Sequence, residues 1–241
     1  MLVTGAEGVI GSAVRRELGD RHELVALTLT PQPFPSHVAD ISVLDAIAPA
    51  FAGVDAVVHL AASADVESPW DDVLRNNLVG TYNVFEAARA AGVERVVYAS
   101  STHSVAMHEW ESAPEIYRVD DERVLDHEVE LRPDSLYGAS KAFGEALGRY
   151  FAERHGLRVF CLRIGWVTAD EAAVRAGRVD ERGRALWLSQ RDCCQLIDCC
   201  LEVEDVRWAV VYGISDNPRR FWDISHAREV LGYVPRDAAP E

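Results

Sequence analysis

The chain contains a single lysine, Lys141, four residues after Tyr137 in the run Tyr137-Gly138-Ala139-Ser140-Lys141, and its other 23 basic side chains are arginine. A lysine kept in such a background points to a property that arginine lacks. Its compact ammonium can approach a phenol and a cofactor ribose together, whereas arginine presents a broad planar fork. An opposite charge nearby favours the ionised phenol, and a tyrosine tuned in that way can accept a proton. A bare Tyr-x-x-x-Lys also arises by chance, so a second signal is needed. It stands at the N-terminus, where Gly5-x-x-Gly8-x-x-Gly11 follows the apolar run Leu2–Thr4 and opens a helical stretch. Glycine permits the tight turn and the approach of backbone to a pyrophosphate, and the helix N-terminus supplies N–H donors. The turn residues Gly5, Gly8, Val9, Ile10 and Gly11 are therefore candidate dinucleotide contacts.

The elements that must position these groups alternate between strand-like and helical patterns. Strands are expected at Leu2–Thr4, Leu24–Leu29, Ala56–Leu60, Arg95–Ala99, Arg158–Arg163 and Trp208–Tyr212. Helices are expected at Ser12–Leu18, about Trp70–Ala91, Ser135–His155, Ser189–Leu201 and Asp223–Leu231. Residues 107–133 read as an acid-rich polar segment and 166–184 as a loop. The alternation implies right-handed βαβ crossovers and a doubly wound parallel sheet of Rossmann type, an α/β fold. The expected organisation is a nucleotide-binding domain over residues 1–165, with a small substrate-binding portion, 166–241, packed on it as one unit.

An acid for the adenosine ribose, or an arginine for a 2′-phosphate, is expected after the second strand. The chain has Thr28-Leu29-Thr30-Pro31 there, so NAD and NADP both stay open. Asp40, followed by Ile41, suits either an adenine contact or an ordinary helix N-cap.

A formal net charge of −15 argues against nucleic acid, whose phosphates demand a basic face. The sequence opens without a basic leader and apolar run, and no window reaches the ~18 apolar residues of a membrane span. A soluble cytoplasmic protein is the expectation. The five cysteines, Cys161 and the doublets Cys193-Cys194 and Cys199-Cys200, form no C-x-x-C, so buried thiols are expected and no metal site.

The glycine turn, Leu60-Ala61-Ala62, Asn76-Asn77, Ser100-Ser101-Thr102 and Tyr137…Lys141 occur in an order that resembles the extended short-chain dehydrogenase/reductases, specifically the NAD-dependent epimerase/dehydratase family. The resemblance covers essentially the whole chain. Within that family the runs Pro69-Trp70-Asp71, Ala99–His103, Arg163-Ile164-Gly165, Trp187-Leu188-Ser189 and Val211-Tyr212-Gly213 look most like two groups of sugar C1 dehydrogenases. These are the uronate dehydrogenases and the haloarchaeal NAD-dependent glucose-6-phosphate dehydrogenases.

By that resemblance, Tyr137 takes a substrate hydroxyl proton while hydride leaves the same carbon for nicotinamide. Lys141 lowers the tyrosine pKa and holds the nicotinamide ribose. Thr102, with Ser101, orients the reacting oxygen, and Asn77 supports the site from its helix. Leu60, Ala61, Ala62 and Ile164 face the cofactor, with NAD slightly favoured over NADP. The sugar dehydrogenases carry asparagine where this chain has Thr102, whereas epimerases and dehydratases carry serine or threonine there.

Only 76 residues follow Gly165, which suits a small sugar better than a nucleotide sugar. Arg182 matches an arginine of both sugar dehydrogenase groups and could clasp a carboxylate or phosphate, or remain a solvated loop residue. His103 and Trp166 are further candidates for the substrate side, each with an alternative as a packed residue. The leading reading is oxidation of the C1 hemiacetal of a small acidic or phosphorylated sugar to a lactone. An epimerase, dehydratase or carbonyl reductase is a second reading, and a non-catalytic dinucleotide sensor a third. A homodimer through the two long helices follows from the family resemblance, although those faces could instead cover the sheet.

Overall fold

The computed structural model describes residues 1–240. The order begins β1 (Leu2–Thr4), α1 (Val9–Leu18), β2 (Val25–Thr28), β3 (His37–Val38), α2 (Leu44–Ile47) and β4 (Ala56–His59). Next come α3 (Trp70–Asp72), a π-helical segment over Val73–Val79, α4 (Gly80–Ala91), β5 (Arg95–Ser101), α5 (Met107–Trp110), α6 (Leu136–His155) and β6 (Arg158–Ile164). The chain finishes with α7 (Glu171–Arg175), α8 (Glu181–Leu186), α9 (Gln190–Glu202), β7 (Trp208–Gly213) and α10 (Ser225–Leu231).

All seven strands pair in parallel, in the order β3-β2-β1-β4-β5-β6-β7. The order reverses at β1, and the sheet grows outward from it on both sides. Val3 lies between Ala26 and Val58 in register, and Val58 opposite Val97. Such strands are buried on both faces, which accounts for their continuous Val/Leu/Ile runs in place of alternation. One face carries α1, α9 and α10 over a core that includes Val14, Phe160, Leu196, Trp222 and Tyr233. The opposite face carries α2, α4 and α6 over Ile47, Val57, Phe85, Tyr98 and Phe151.

The long helix α6 begins at Ser135, whose hydroxyl accepts the Gly138 N–H at 3.0 Å, and ends on Gly156 in the left-handed conformation. Gly138 lies where a Cβ would come 2.2 Å from the His103 carbonyl oxygen. Only a hydrogen in that place lets the first turn of α6 lie against the end of β5.

Three expectations need correction. Helix α1 starts at Val9, inside the glycine-rich run, because the turn itself supplies the helix N-terminus. The stretch 70–91 is not a uniform α-helix; seven of its residues adopt the wider π turn. The segment 166–184 is not all loop, since it contains α7 and most of α8, each capped by an aspartate side chain, Asp170 and Asp180. Residues 166–240 contribute β7, hydrogen-bonded beside β6, and α9, packed on α1. No helix among the described residues is long and apolar enough to cross a membrane.

Candidate active site

One cleft of about 580 Å³ runs along the carboxyl ends of β1, β2, β4, β5 and β6. Its position fits the rule that ligands in open parallel sheets lie beyond the strand ends where the order reverses, and its volume lies within the range of small-ligand sites. Gly5, Gly8, Val9, Ile10 and Gly11 line one end, with Leu27, Thr28 and Leu29. Asp40 and Ile41, which follow the edge strand β3, line the same end, and Leu60, Ala61 and Ala62, after β4, form the middle. Ser101, His103, Tyr137, Lys141, Ile164 and Trp166 form the other end.

The glycine turn is built for backbone approach. Gly5 has φ +66°, and a Cβ on Gly11 would come 2.4 Å from the Gly5 carbonyl oxygen. The opposing wall is set by Thr4, whose Oγ1 accepts the N–H groups of Leu60 at 3.2 Å and Ala61 at 3.1 Å. That leaves its hydroxyl proton for His59 Nδ1, 2.8 Å away, so the imidazole proton resides on Nε2 and is donated to Thr81 Oγ1 at 3.2 Å. Burial, with the Lys141 charge adding to it, drives the His59 pKa down to about 3. The neutral ring ties β1, β4 and α4 together behind the cleft. Such a cradle, with backbone N–H groups and glycine at the positions of closest approach, fits a dinucleotide.

Tyr137 and Lys141 are one helical turn apart on α6 and share a face. The Lys141 Nζ donates to the Ala99 carbonyl oxygen at 2.8 Å and lies 5.4 Å from the centre of the Tyr137 ring. Both are buried. The electrostatics of this state differ from the expectation of a tyrosine held partly ionised. Burial raises the Tyr137 phenol above its ordinary value, against the pull of the neighbouring Ser101 hydroxyl. Burial also pulls the Lys141 ammonium down to about 7. The reason is desolvation, which disfavours the charged form of each group before any ligand charge is added.

Ser101 and Thr102 separate. Ser101 lines the cleft, and its Oγ accepts the His103 N–H at 3.3 Å, which leaves its O–H free to donate. Thr102 is 1% exposed, begins a short 3₁₀ turn and does not line the cleft. Below them, Glu145 accepts from Ser100 at 2.6 Å and from Arg163 through both carboxylate oxygens at 3.0 and 2.9 Å. This buried pair pins the end of β5.

Asn77 does not line the cleft either. Its amide nitrogen donates to the Ser63 carbonyl and to Ser140 Oγ, both at 3.0 Å, and its oxygen accepts the Ser63 N–H at 2.7 Å. It ties the loop after β4 to α6, and Asn76, beside it on the π segment, faces the cleft instead. Asp40 lines the cleft, and its carboxylate also accepts the Ser42 N–H at 2.8 Å and pairs with Arg75.

His103 is oriented by Asp134, whose Oδ2 accepts from His103 Nδ1 at 2.8 Å and Trp110 Nε1 at 3.0 Å. Against the cost of burial, hydrogen bonds from His103, Trp110 and Ser135 hold the Asp134 carboxyl down at about 2. Arg182 lies away from the cleft lining. Its Nε donates at 2.5 Å to Glu109, a carboxylate with no solvent exposure that also accepts from Tyr117 at 2.8 Å. Sequence reasoning missed Glu109, Asp134, Asn76 and Glu7. Of these, Asn76 and Glu7 carried local signals, Asn76 beside Asn77 and Glu7 inside the glycine turn.

The chain matches the NAD dependent epimerase/dehydratase family over residues 1–179. It belongs to that family. The NAD-dependent glucose-6-phosphate dehydrogenase of Haloferax volcanii is 42% identical, with 100% of this chain and 94% of the relative covered. The L-arabinose 1-dehydrogenase (NAD(P)(+)) of the same organism is 41% identical over 98% of this chain and 95% of the relative. Among solved structures, a mutant of uronate dehydrogenase from Agrobacterium tumefaciens complexed with NAD superimposes with a TM-score of 0.84 at 32% identity, covering 99% of this chain and 84% of that one. The fold of this family member thus accords with that of its relatives.

Proposed function

We propose that this protein is an NAD(P)-dependent oxidoreductase that oxidises the C1 hemiacetal of a small acidic or phosphorylated sugar, a uronate or hexose phosphate, to its lactone. The observation that carries this reading is a single cleft with the glycine turn at one end and Tyr137, Lys141 and Ser101 together at the other. Relatives named as a glucose-6-phosphate dehydrogenase and as uronate dehydrogenases, similar over nearly the whole chain, support it, whereas the L-arabinose 1-dehydrogenase supports the neutral-aldose reading below.

Bound in this cleft, oxidised nicotinamide would supply the hydride acceptor for C1. Once ionised, with Lys141 and the cationic nicotinamide offsetting the burial that raises its pKa, Tyr137 would receive the C1 hydroxyl proton at its phenolic oxygen, and Ser101 would donate a hydrogen bond to that same substrate oxygen. Lys141 stabilises the phenolate and holds the nicotinamide ribose. Thr102 and Asn77 act by fixing the end of β5 and the loop after β4, His103 and Trp166 border the sugar, and Ile164 backs the nicotinamide. Residues 166–241 serve as the substrate portion. The setting proposed is cytoplasmic.

The Arg182 guanidinium is already engaged by the Glu109 carboxylate through Nε and Nη2. That pairing favours a second reading, in which the sugar is a neutral aldose. Rates of nicotinamide reduction on uronates, hexose phosphates and neutral aldoses test both. Turnover of the acidic sugars supports the first, turnover confined to neutral aldoses decides for the second, and none at all refutes both. A homodimer through the two long helices is also proposed, on the exposed apolar residues Leu74, Val79 and Tyr82 and, on α6, Phe143 and Tyr150. Light scattering on a Tyr82→Glu variant checks it, with a monomer expected.

A further inference from the structure

Glu7 is the one acidic side chain of the glycine turn, and it lines the cleft at the end reached by β2. Its Oε1 accepts the backbone N–H of Leu29 at 3.3 Å, so the carboxylate closes the gap between the first turn and the strand end. In this class of fold the adenosine ribose lies at that corner, held by an acid after the second strand, or an arginine there meets the 2′-phosphate.

The strand end itself offers neither group. The Thr28 hydroxyl lies 3.0 Å from the Thr30 carbonyl oxygen and 3.1 Å from Ser36 Oγ, and Leu29 is apolar. The arginine nearest to Glu7 in sequence, Arg15, donates to the Ala6 carbonyl oxygen at 2.9 Å and stacks 3.6 Å over the Phe34 ring. No arginine lines the cleft among the described residues, and Lys141 lies at the opposite end. Of the two carboxylates that line the ribose end, Asp40 is paired with Arg75, so Glu7 supplies the one negative charge there without an arginine partner.

We infer that Glu7 substitutes for the absent strand-end acid and makes the protein select NAD against NADP. One carboxylate oxygen stays on the Leu29 N–H, and the other accepts a hydrogen bond from the ribose 2′-hydroxyl, within the capacity of an ionised carboxylate. A 2′-phosphate meets like charge and an acceptor with no proton to give, so discrimination comes from a repulsive element as much as from an attractive one. The inference rests on the dinucleotide reading above and adds its cofactor preference.

Glu7→Gln is the decisive variant, because the amide oxygen still accepts the Leu29 N–H while the charge is lost. Calorimetric titration of the purified protein with NAD and with NADP, without sugar, reads affinity independently of turnover. The wild type is expected to bind NAD at least about tenfold more tightly, equivalent to about 1.4 kcal/mol. Glu7→Gln is expected to tighten NADP about tenfold and to change NAD much less. Glu7→Arg is expected to reverse the order. Because the charge is exposed, the wild-type ratio should also narrow in about 1 M salt, where the screening length falls to roughly 3 Å. An unchanged ratio in Glu7→Gln, equal weakening of both cofactors, or a wild type that does not discriminate would overturn the role of Glu7 while leaving dinucleotide binding intact. Failure to bind either dinucleotide would instead remove the reading beneath it.

Discussion

Replacing Lys141 by methionine should stabilise the cofactor-free protein at low pH, even as it disables the site. Lys141 is 4% exposed, and burial brings its pKa from 10.5 to about 7. At about 1.4 kcal/mol per pKa step, that fall represents a cost on the order of 4–5 kcal/mol for holding the charge in the fold. The sign follows from the proton count. Between pH 7 and 10.5 the unfolded chain keeps a proton that the folded chain has released, so stability rises with pH across that window. Below about 7 both states hold the proton, and the cost is constant and fully present. Methionine removes the charge but strips the Ala99 carbonyl of its donor at 2.8 Å, a loss of about 1 kcal/mol. Denaturant unfolding at pH 6, 8 and 10 should therefore show Lys141→Met more stable by about 3 kcal/mol at pH 6, with the gain shrinking and then reversing towards pH 10. Parallel stability curves for the two proteins, or a gain that grows with pH, would refute the argument that this ammonium is held at a desolvation cost.

Glu145→Gln leaves Arg163 buried without its carboxylate and should cost about 3–5 kcal/mol by urea unfolding, because breaking one partner of a buried pair strands the other. Asp134→Asn should remove a stabilisation of roughly 2 kcal/mol that is present above pH 4 and lost as pH falls towards 2, read as a flatter acid limb of the unfolding curve. Asn77→Ala should lower kcat/KM for the sugar about tenfold or more through misplacement of the Ser63 loop, with a smaller effect on Tm. Gly138→Ala forces α6 away from the His103 carbonyl and should reduce kcat while destabilising the fold by about 1–3 kcal/mol.

Much of the scaffold was legible because its signals are local. The apolar runs of β1, β4, β5, β6 and β7, the glycine turn and the α6 cap at Ser135 each occupy a few adjacent residues. What escaped depends on distant partners. Strand β3 is two exposed residues paired only with β2, with no periodicity to announce it. The Arg182–Glu109 pair spans 73 positions, joining the polar segment after β5 to α8. Thr102 and Ser101 are chemically alike neighbours, and only the turn after β5 decides that Ser101 faces the cleft. The π segment likewise decides between Asn76 and Asn77, a choice that rests on where one wide turn falls.

The contact between α9 and α1 bears on how such proteins can be recombined. The helix that carries the glycine turn leans on one that follows β6 by more than twenty residues, and Trp222 and Tyr233 fill the same interior. A chimera that grafts another relative's tail after Gly165 to change the sugar would also alter what braces the phosphate cradle. Transplants should therefore carry α1 along with its opposing helix, and shifts in dinucleotide affinity are expected whenever they do not.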